Sequence, residues 1–451
     1  MPVAANTHQA DEVMTALAPL REQGIETLRV LWSDLHGIAR GKDVHIDHFP
    51  QLSAGGLSFC GALMATDLSP AALEDSDAVS MGYPDACLKP DLSTIRPIPF
   101  EPGVAVVLAD ITGAGGGPLA SSPRDTLARL VGDLNGMGMR PILAPELEFY
   151  LFRADESAPN GLRPYVSRDT AGYVVGRALD PLGALSTLLA QSRAMGLGVF
   201  AGNHEFSAGQ FEINHTHSTA VDAADRAFLF KYAVKEIAAG LGLHATFMGK
   251  PATESAGSGF HIHASLVDEQ GHNQFADHES SDGLSQLAHH FVAGLVEHAG
   301  PLMAFLNPTI NAFKRLHSAG LTPTTADWGL DNRLCLVRVP PERGQGSRFE
   351  LRIGDAAANP YLAFAAVLAA GADGIRRKLD PPPARAGAIA TGRPLPTSLS
   401  EALEQLAASE VLCAHLGSDL IHAFTALKRQ EISRFNAAVT DWEVQEYSRL
   451  L

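Results

Sequence analysis

The segment LAPELEFYLF at 143–152 constrains the fold more strongly than any other part of this chain. Successive side chains of a β-strand point to opposite faces, so Glu146 and Glu148 share one face while leucine and phenylalanine side chains form the other. Two carboxylates at this spacing repel each other unless a positive group lies between them. The segment therefore predicts a strand that lies on a core, with an acidic face that is either solvated or arranged around a cation.

Three further segments, 204–214, 259–266 and 348–353, show the same division between an apolar and a polar face. A solvated sheet face would mix threonine, lysine and serine, whereas these polar positions are rich in acids, histidines and arginines. The economical explanation is one sheet, curved so that its polar faces converge on a shared cavity. The polar positions concerned are Glu205, Glu212, His261, His263, Ser265, Arg348, Glu350 and Arg352.

Oxygen ligands dominate this set. Hard divalent cations such as Mg²⁺ and Mn²⁺ prefer oxygen ligands, whereas zinc favours more histidine and cysteine. The set is larger than one Mg²⁺ ion ordinarily takes from a protein, so we expect two or more Mg²⁺ or Mn²⁺ ions per subunit. The expected ligands are Glu146, Glu148, Glu205, Glu212, His261 and Glu350.

A run of arginines accompanies the acidic groups. Acids and arginines together can form a structural network of salt bridges, and this interpretation stays open. Metals and arginines are also what phosphoryl transfer requires, because both neutralise the charge of the transferring group. The arginines are Arg315, Arg333, Arg338, Arg348 and Arg352.

The net charge of −16 over 451 residues argues against nucleic acid as a partner, because the chain has no basic domain to neutralise phosphates. Its four cysteines show no paired spacing, which predicts free thiols in a reducing compartment. No signal peptide is recognisable at the first residues, and the longest apolar run, 361–372, is too short to cross a bilayer. We therefore expect a soluble cytoplasmic protein with no nucleic-acid or membrane partner.

A glycine-rich segment, GAGGGP at 113–118, follows the strands predicted at 27–32 and 103–111 and is the best candidate for a domain boundary. It divides the chain into an N-terminal domain, 1–112, and a second domain, 118–451, in which strands alternate with helices. Helices are predicted at 11–22, 123–136, 181–195, 223–241, 283–299 and 360–378, with another after a capping box at Ser398–Glu401.

A set of motifs in a fixed order resembles the glutamine synthetase family, and the resemblance runs from about Ile25 to Tyr447. It implies an α+β fold: an N-terminal β-grasp domain, then a catalytic domain whose curved antiparallel sheet forms a funnel flanked by helices. It also implies a homo-oligomer, a dodecamer of two stacked hexameric rings, with active sites between adjacent subunits. The motifs are PELEF at 145–149, GQFEI at 209–213, FMGKP at 247–251, GSGFHIH at 257–263, NPTIN at 307–311 with KRL at 314–316, and NPYL at 359–362.

The resemblance also implies roles for individual residues. The first metal would be held by Glu148, Glu205 and Glu212, and the second, nearer the γ-phosphate of ATP, by Glu146, His261 and Glu350. The residues expected to contact ATP are His263, Ser265, Arg338 and Arg348. Arg315 and Arg352 would hold the carboxylate of glutamate or the phosphoryl group, Gly257 would lie near the substrate backbone, and Arg333 would stabilise the transferring phosphate. Asp34 would reach into the neighbouring subunit's site and handle the amine.

The reaction that the resemblance implies consumes ATP, glutamate and an amine. The γ-carboxylate of glutamate is phosphorylated, and the amine then attacks the acyl phosphate. Activation is necessary because a free carboxylate is a poor electrophile, and the acyl phosphate divides one difficult step into two easier ones.

The chain departs from the family at a flexible flap, where members that use ammonia carry a glutamate that takes a proton from ammonium. Counted from Arg315 without a gap, this position is Leu321, and no acid occurs between Arg315 and Asp327. The family's asparagine before the Gly-Ser-Gly motif is Ala256 here, and the segment 380–396 has no tyrosine for adenylylation. The less polar entrance favours a γ-glutamyl-amine ligase that uses a polyamine or a small monoamine. A glutamine synthetase that uses ammonia and a non-catalytic structural or regulatory member are the alternatives.

Overall fold

The computed structural model describes residues 7–69, 71–73, 76–113, 115–158, 160–166, 172–317 and 320–451. Its strands are β1 (Thr27–Ser33), β2 (Ala39–His45), β3 (Leu57–Cys60), β4 (Asp85–Pro97), β5 (Val104–Thr112), β6 (Arg140–Ala154), β7 (Leu162–Pro164), β8 (Val199–His204), β9 (Gln210–His215), β10 (Ser218–Thr219), β11 (His244–Thr246), β12 (Phe260–Val267), β13 (Thr325–Ala326), β14 (Trp328–Leu330), β15 (Val337–Val339), β16 (Phe349–Leu351) and β17 (Arg393–Pro394).

Helices cover both sheets. They are α1 (Thr7–Glu22), α2 (Phe49–Gly55), α3 (Asp77–Ser80), α4 (Pro123–Gly136), α5 (Ala184–Ala194), α6 (Ala220–Gly240), α7 (Gln286–Glu297), α8 (Ala299–Leu306), α9 (Ile310–Leu316), α10 (Pro360–Arg377), α11 (Leu399–Ala407), α12 (Glu410–Leu416), α13 (Ser418–Ala437) and α14 (Asp441–Tyr447). Within the described residues, none of these helices combines the length and the apolar character that a membrane span needs.

The N-terminal strands form one mixed sheet in the order β2–β1–β5–β4–β3, in which β1 and β5 run parallel and the other neighbours are antiparallel. Both faces of its centre are buried: Val30 and Val107 belong to a core shared with α1, whereas Leu31 and Leu108 belong to the main core. Burial on both faces explains why β5 is a nearly continuous apolar run. The strands predicted here are confirmed, while the β-grasp assignment and the domain boundary stay predictions.

A larger, curved sheet forms the framework of the second part, in the order β14–β15–β16–β12–β6–β9–β8. The long strand β6 pairs with β12 and β9 along its middle and with β7, β10 and β11 nearer its ends. All four strand segments predicted from alternation belong to this sheet, and the predicted α+β class with a curved sheet flanked by helices is confirmed. The sheet is not antiparallel throughout, because β14 and β15 run parallel.

Helix α10 occupies the centre of the main core. It begins with Pro360, as predicted, and the Asn359 side chain caps it by accepting a hydrogen bond from the Tyr361 N–H at 3.0 Å. Its residues are buried almost without interruption from Pro360 to Gly371. The longest apolar run of the sequence is therefore a core helix with no solvent-facing side over that stretch.

The prediction of one helix over 283–299 is wrong, because two helices meet within that range. Helix α7 ends at Glu297 and α8 begins at Ala299, and His298 lies at the junction. The His298 side chain shares a hydrogen bond with the Asp373 carboxylate, with Nε2 and the oxygen 2.8 Å apart. This buried contact ties the junction between α7 and α8 to α10.

The helix predicted at 181–195 begins later, at Ala184. Gly183, at the N-cap, adopts a left-handed conformation with φ of 69°. The Asp180 carboxylate accepts the Ala184 and Leu185 N–H groups at 2.6 and 3.0 Å, which satisfies two donors of the first turn. The capping residue therefore lies one position before the helix that was predicted to begin at residue 181.

Candidate active site

A cavity of about 740 Å³, here called the acidic cavity, opens on the polar face of the larger sheet. Every residue predicted to bind metal lines it, together with those predicted to hold glutamate and the phosphoryl group. The predicted residues on its wall are Glu146, Glu148, Glu205, Glu212, Gly257, His261, Arg315, Leu321, Arg333, Arg338, Glu350 and Arg352. The convergence predicted from strand alternation is therefore present in the structure.

Strand pairing brings these side chains together. Glu146 on β6 lies opposite His261 on β12 and Asn214 on β9. Two residues further along β6, Glu148 lies opposite Glu212 of β9. Side chains that pair directly across a sheet and share a face are close neighbours, so the register alone concentrates carboxylates at this point.

The spacing of three of these side chains suits a metal ion. Glu146, Glu212 and His261 each offer one ligand atom, and these atoms lie within 4.8 Å of one another. His261 Nδ1 is 2.6 Å from a Glu146 oxygen and 3.9 Å from a Glu350 oxygen. Two carboxylates and an imidazole suit Mg²⁺ or Mn²⁺. Glu212 was predicted to bind the first metal, whereas Glu146 and His261 were predicted to bind the second. The structure therefore places residues from both predicted sites in one group.

Two amide side chains that the sequence analysis did not identify hold the carboxylates in place. Asn214 donates to Glu146 at 3.0 Å and to Glu212 at 3.2 Å. Gln210 donates to Glu148 at 3.0 Å. Alternation along β9 could have revealed both, because positions 210, 212 and 214 share one face of that strand.

The carboxylates of the acidic cavity lie close enough to disfavour one another's ionisation. Burial and the charges of Glu146 and Glu148 raise the pKa of Glu212 to about 10. Burial and the charge of Glu148 raise the pKa of Glu205 to about 7. A bound cation would remove this repulsion and favour the ionised carboxylates, so the electrostatics of the site fit a divalent metal.

Metal binding is therefore expected to release protons. A cation binds the ionised carboxylates, so Glu212 and Glu205, with pKa values of about 10 and 7, must lose the protons that they carry. Affinity for Mn²⁺ should rise with pH, by about 10-fold per pH unit for each proton displaced, between about pH 6 and pH 8. Calorimetric titration in two buffers of different ionisation enthalpy counts the released protons, and Glu212→Gln should release fewer. An Mn²⁺ affinity that does not change with pH would contradict the involvement of these carboxylates.

Glu350 on β16 is held mainly by arginines. It lies opposite Arg338 on β15, which donates to one carboxylate oxygen at 2.5 Å, and Arg352 donates to the other oxygen. Burial disfavours ionisation of Glu350, but the nearby charges of His261, Arg352 and His263 outweigh it and hold its pKa at about 2. Glu350 is therefore a carboxylate at every physiological pH, and it fixes two guanidinium groups at the cavity wall.

Two glycines of the GSGF segment let Arg315 approach the acidic cavity. A Cβ atom at Gly257 would lie 2.3 Å from Arg315 Cγ, so the arginine stem occupies the place of that side chain. A Cβ atom at Gly259 would lie 3.1 Å from Glu148 Oε1 and from His261 Nε2, and 3.2 Å from Arg315 Nη2. Close packing at the cavity wall explains the glycine at both positions.

A second cavity of about 760 Å³, here called the adjoining cavity, shares Glu146, Asn214 and Arg338 with the acidic cavity. Arg348 Nε donates to His263 Nδ1 at 3.4 Å, and His263 Nε2 is 3.6 Å from a Glu146 oxygen. The four residues predicted to contact ATP all line this cavity: His263, Ser265, Arg338 and Arg348.

Asp34 lies in neither cavity. It is 1% exposed, and its carboxylate accepts hydrogen bonds from Arg40 and from the His36 and Ile38 N–H groups, each at 2.9 Å. Its carbonyl oxygen accepts the Asn359 amide at 2.9 Å. These contacts make Asp34 an anchor of the turn between β1 and β2. These contacts lie within one subunit, and the predicted role of Asp34 across a subunit boundary stays a prediction.

The mouth of the acidic cavity is apolar on one side. Tyr173, Phe206 and Leu321 line it and are 64%, 58% and 50% exposed. Ala256 also lines the cavity. The sequence analysis missed Tyr173, which belongs to no periodic segment, and Phe206, which lies in the turn between β8 and β9. Tyr173 has a positive φ of 61°, and its N–H donates to the His204 carbonyl oxygen at 2.9 Å, a local geometry that no sequence pattern indicates.

Comparison with known proteins agrees with this geometry. Residues 120–447 match the model of the glutamine synthetase catalytic domain. The chain is 35% identical to the glutamine synthetase of Thermus thermophilus over 449 residues, which is 96% of this chain and 97% of the relative. It is 33% identical over 441 residues to the glutamate–isopropylamine ligase of a Pseudomonas species, which is 95% and 96% of the two chains. The solved structure of a GmaS complex with ADP has a TM-score of 0.85 and 33% identity, and the match covers 96% of this chain and 99% of that one.

These relatives are named as ligases, and enzymes of this family use ATP and divalent metals. The oxygen-rich acidic cavity beside a second cavity lined with arginine and histidine is consistent with that chemistry. Since the match extends over nearly the whole sequence and over the fold, the chain belongs to the glutamine synthetase family and is a ligase.

Proposed function

We propose that this ligase joins the γ-carboxylate of glutamate to a small organic monoamine, with conversion of ATP to ADP and phosphate. One observation carries the choice of amine: Leu321, Phe206 and Tyr173 give the acidic cavity an apolar mouth at the predicted position of the family's flap glutamate. The relative named glutamate–isopropylamine ligase supports the same choice.

The physical argument concerns what each nucleophile needs at the mouth. Ammonium has no apolar surface, so its recognition depends on a carboxylate that attracts the cation and accepts its proton. An alkylamine can compensate for a missing carboxylate by burying its carbon chain, which contributes about 0.8 kcal/mol per methylene group. The leucine and the two aromatic side chains offer that apolar surface, and the acidic wall behind them attracts the ammonium end.

In the first step, an oxygen of the glutamate γ-carboxylate attacks the γ-phosphorus of ATP, and the bond from that phosphorus to the ADP oxygen breaks. We assign ATP to the adjoining cavity. Arg315 and Arg352 hold a carboxylate of glutamate or the phosphoryl group, and Arg333 neutralises the charge that develops during transfer. When bound, the divalent metals neutralise the phosphate oxygens.

In the second step, the amine nitrogen attacks the acyl carbon of γ-glutamyl phosphate, the carbon–oxygen bond to phosphate breaks, and the amide forms. The amine reaches the site as a cation and must lose a proton before it attacks. A closed apolar mouth would also keep water away from the acyl phosphate, which water would otherwise hydrolyse.

Two other nucleophiles, ammonia and a polyamine, are alternatives to the monoamine. The name of the Thermus relative favours glutamine synthesis from ammonia. A polyamine could place its second charge against acidic groups at the mouth, although neither relative named above is called a polyamine ligase. The predicted dodecamer, the predicted cytoplasmic location and the number of metals stay predictions.

Phosphate release tests the proposal. The purified protein is incubated with ATP, glutamate and Mg²⁺ or Mn²⁺, and kcat/KM is measured for ammonium, methylamine, ethylamine, isopropylamine and putrescine at one pH. We expect a monoamine to give the highest kcat/KM. A highest value for ammonium would identify a glutamine synthetase, and no release with any amine would identify a non-catalytic member.

A further inference from the structure

Arg315 carries a charge in a buried position. The residue is 4% exposed, and its guanidinium group donates to the Ile353 carbonyl oxygen at 3.1 Å. An arginine keeps its proton in proteins, so its burial is unfavourable unless a negative charge lies nearby. Burial lowers the pKa of Arg315, and the charges of Asp355 and Glu148 counteract it.

Of these two carboxylates, Glu148 is a proposed metal ligand and Asp355 is not. Glu148 is a proposed ligand, so a bound cation would share its charge. Asp355 is fully buried, and its Oδ1 accepts the Ala357 N–H at 2.8 Å. Its Oδ2 has no hydrogen-bond partner among the described residues. Burial raises the pKa of Asp355 to about 6, so the group is predominantly ionised at neutral pH.

Two glycines, Gly249 and Gly257, lie between the Asp355 carboxylate and the stem of Arg315. A Cβ atom at Gly249 would lie 1.7 Å from Asp355 Oδ2, so the carboxylate rests directly on that glycine. A Cβ atom at Gly257 would lie 2.3 Å from Arg315 Cγ and 2.9 Å from the Gly249 carbonyl oxygen. The two glycines therefore touch each other, with the carboxylate on one and the arginine stem on the other. A side chain at Gly249 would displace the carboxylate, and one at Gly257 would displace the arginine stem.

We propose that Asp355 is a positioning residue that acts through Arg315. Its buried negative charge, applied across Gly249 and Gly257, keeps the guanidinium group at the wall of the acidic cavity, where it binds a carboxylate of glutamate. The inference rests on the proposed function, because that function assigns glutamate to this cavity. Asp355 itself touches neither the substrate nor the metals.

A second buried cation, Lys231, also lies near Asp355. Its Nζ donates to the Ala358 carbonyl oxygen at 2.9 Å, and burial lowers its pKa to about 7. Loss of the Asp355 charge would therefore affect Lys231 as well as Arg315. A test of the proposal must separate these effects from each other and from a general loss of stability.

The test measures glutamate binding by calorimetry and steady-state kinetics in Asp355→Asn, which keeps the shape of the side chain and removes its charge. We expect the dissociation constant and the KM for glutamate to rise by about 10-fold, the lower end of the range for residues that orient a binding group. The KM for ATP and kcat should stay close to the wild-type values. Asp373→Asn is the matched control, because Asp373 is equally buried and pairs with Arg376 and His298, outside both cavities.

A double-mutant cycle shows whether Asp355 acts through Arg315. In an Arg315→Ala background, Asp355→Asn should change glutamate binding by less than about 2-fold, since the group that it positions is gone. Gly249→Ala is a second route if Asp355→Asn does not fold, because it keeps the carboxylate and displaces it, and it should also weaken glutamate binding. Equal glutamate affinity in wild type and Asp355→Asn, or additive losses in the cycle, would overturn this inference alone. A wild-type protein that does not bind glutamate would overturn the proposed function and the inference with it.

Discussion

Glu350→Gln is expected to reduce kcat/KM by at least about 10³-fold, the upper range for removal of one preorganised charged group from an active site. Glu350 is 1% exposed and holds Arg338 and Arg352 at the wall of the acidic cavity. It is also a proposed metal ligand. Loss of its charge therefore removes a proposed metal ligand and one anionic partner of each guanidinium group, while Arg338 keeps its ion pair with Asp331. Glu148→Ala should be comparably inactive.

Metal titration distinguishes the two contributions of Glu350. If the residue binds metal, the Mn²⁺ concentration needed for half-maximal residual activity should rise in Glu350→Gln. An unchanged Mn²⁺ dependence would remove Glu350 from the metal site and leave it as an anchor for the arginines. Removal of one partner from a buried ion pair also costs about 3–5 kcal/mol of stability, so thermal melting must show that the variant is folded at the assay temperature. Glu101→Gln, which breaks a partly exposed pair with Arg29, controls for the loss of an ion pair elsewhere.

Leu321→Glu is expected to favour ammonium over an alkylamine. The ratio of kcat/KM for ammonium to kcat/KM for the alkylamine should rise by roughly 10- to 100-fold, which is at the low end of the contribution that a positioned proton acceptor makes. The new carboxylate would attract ammonium and take its proton. It would also remove the leucine surface on which an alkyl group packs. The value of kcat/KM should therefore rise for ammonium and fall for the alkylamine, and both changes shift the ratio towards ammonium.

Leu321→Gln and Leu321→Met are the matched controls. Glutamine has the size of glutamate without its charge and should weaken alkylamine use without improving ammonium use. Methionine keeps the apolar surface and should leave the ratio close to that of wild type. If Leu321→Glu changes neither value, Leu321 does not face the bound amine, and the position of the flap was counted incorrectly.

Alternation along strands predicted most of the acidic cavity, because a period of two residues decides which side chains share a face. Glu146, Glu148, Glu212, His261 and Glu350 follow that rule, and the structure brings all of them to one wall. The pairing of strands depends on the whole fold, so alternation alone does not say which carboxylates meet. The structure accordingly groups Glu146, Glu212 and His261 across the boundary between the two predicted metal sites.

Residues in turns and loops were predicted least well. Asp34 follows a strand in a turn sequence, and its carboxylate is buried within this chain by contacts with Arg40 and with the backbone of the same turn, which alternation does not indicate. Tyr173 reaches the cavity mouth from a segment without periodicity, and Phe206 from the turn between β8 and β9. Their positions depend on local backbone geometry and on contacts distant in sequence, and neither leaves a regular pattern in the chain.

Competition between two amines for the same acyl phosphate tests the central claim most directly. Equal concentrations of ammonium and methylamine, or of ammonium and isopropylamine, are supplied with glutamate, Mg²⁺ and limiting ATP, and mass spectrometry measures both amide products. The ratio of the products equals the ratio of the two kcat/KM values under these conditions. Our account predicts that the γ-glutamylalkylamide exceeds glutamine in at least one of the two mixtures. An excess of glutamine in both mixtures would contradict it and identify ammonia as the substrate.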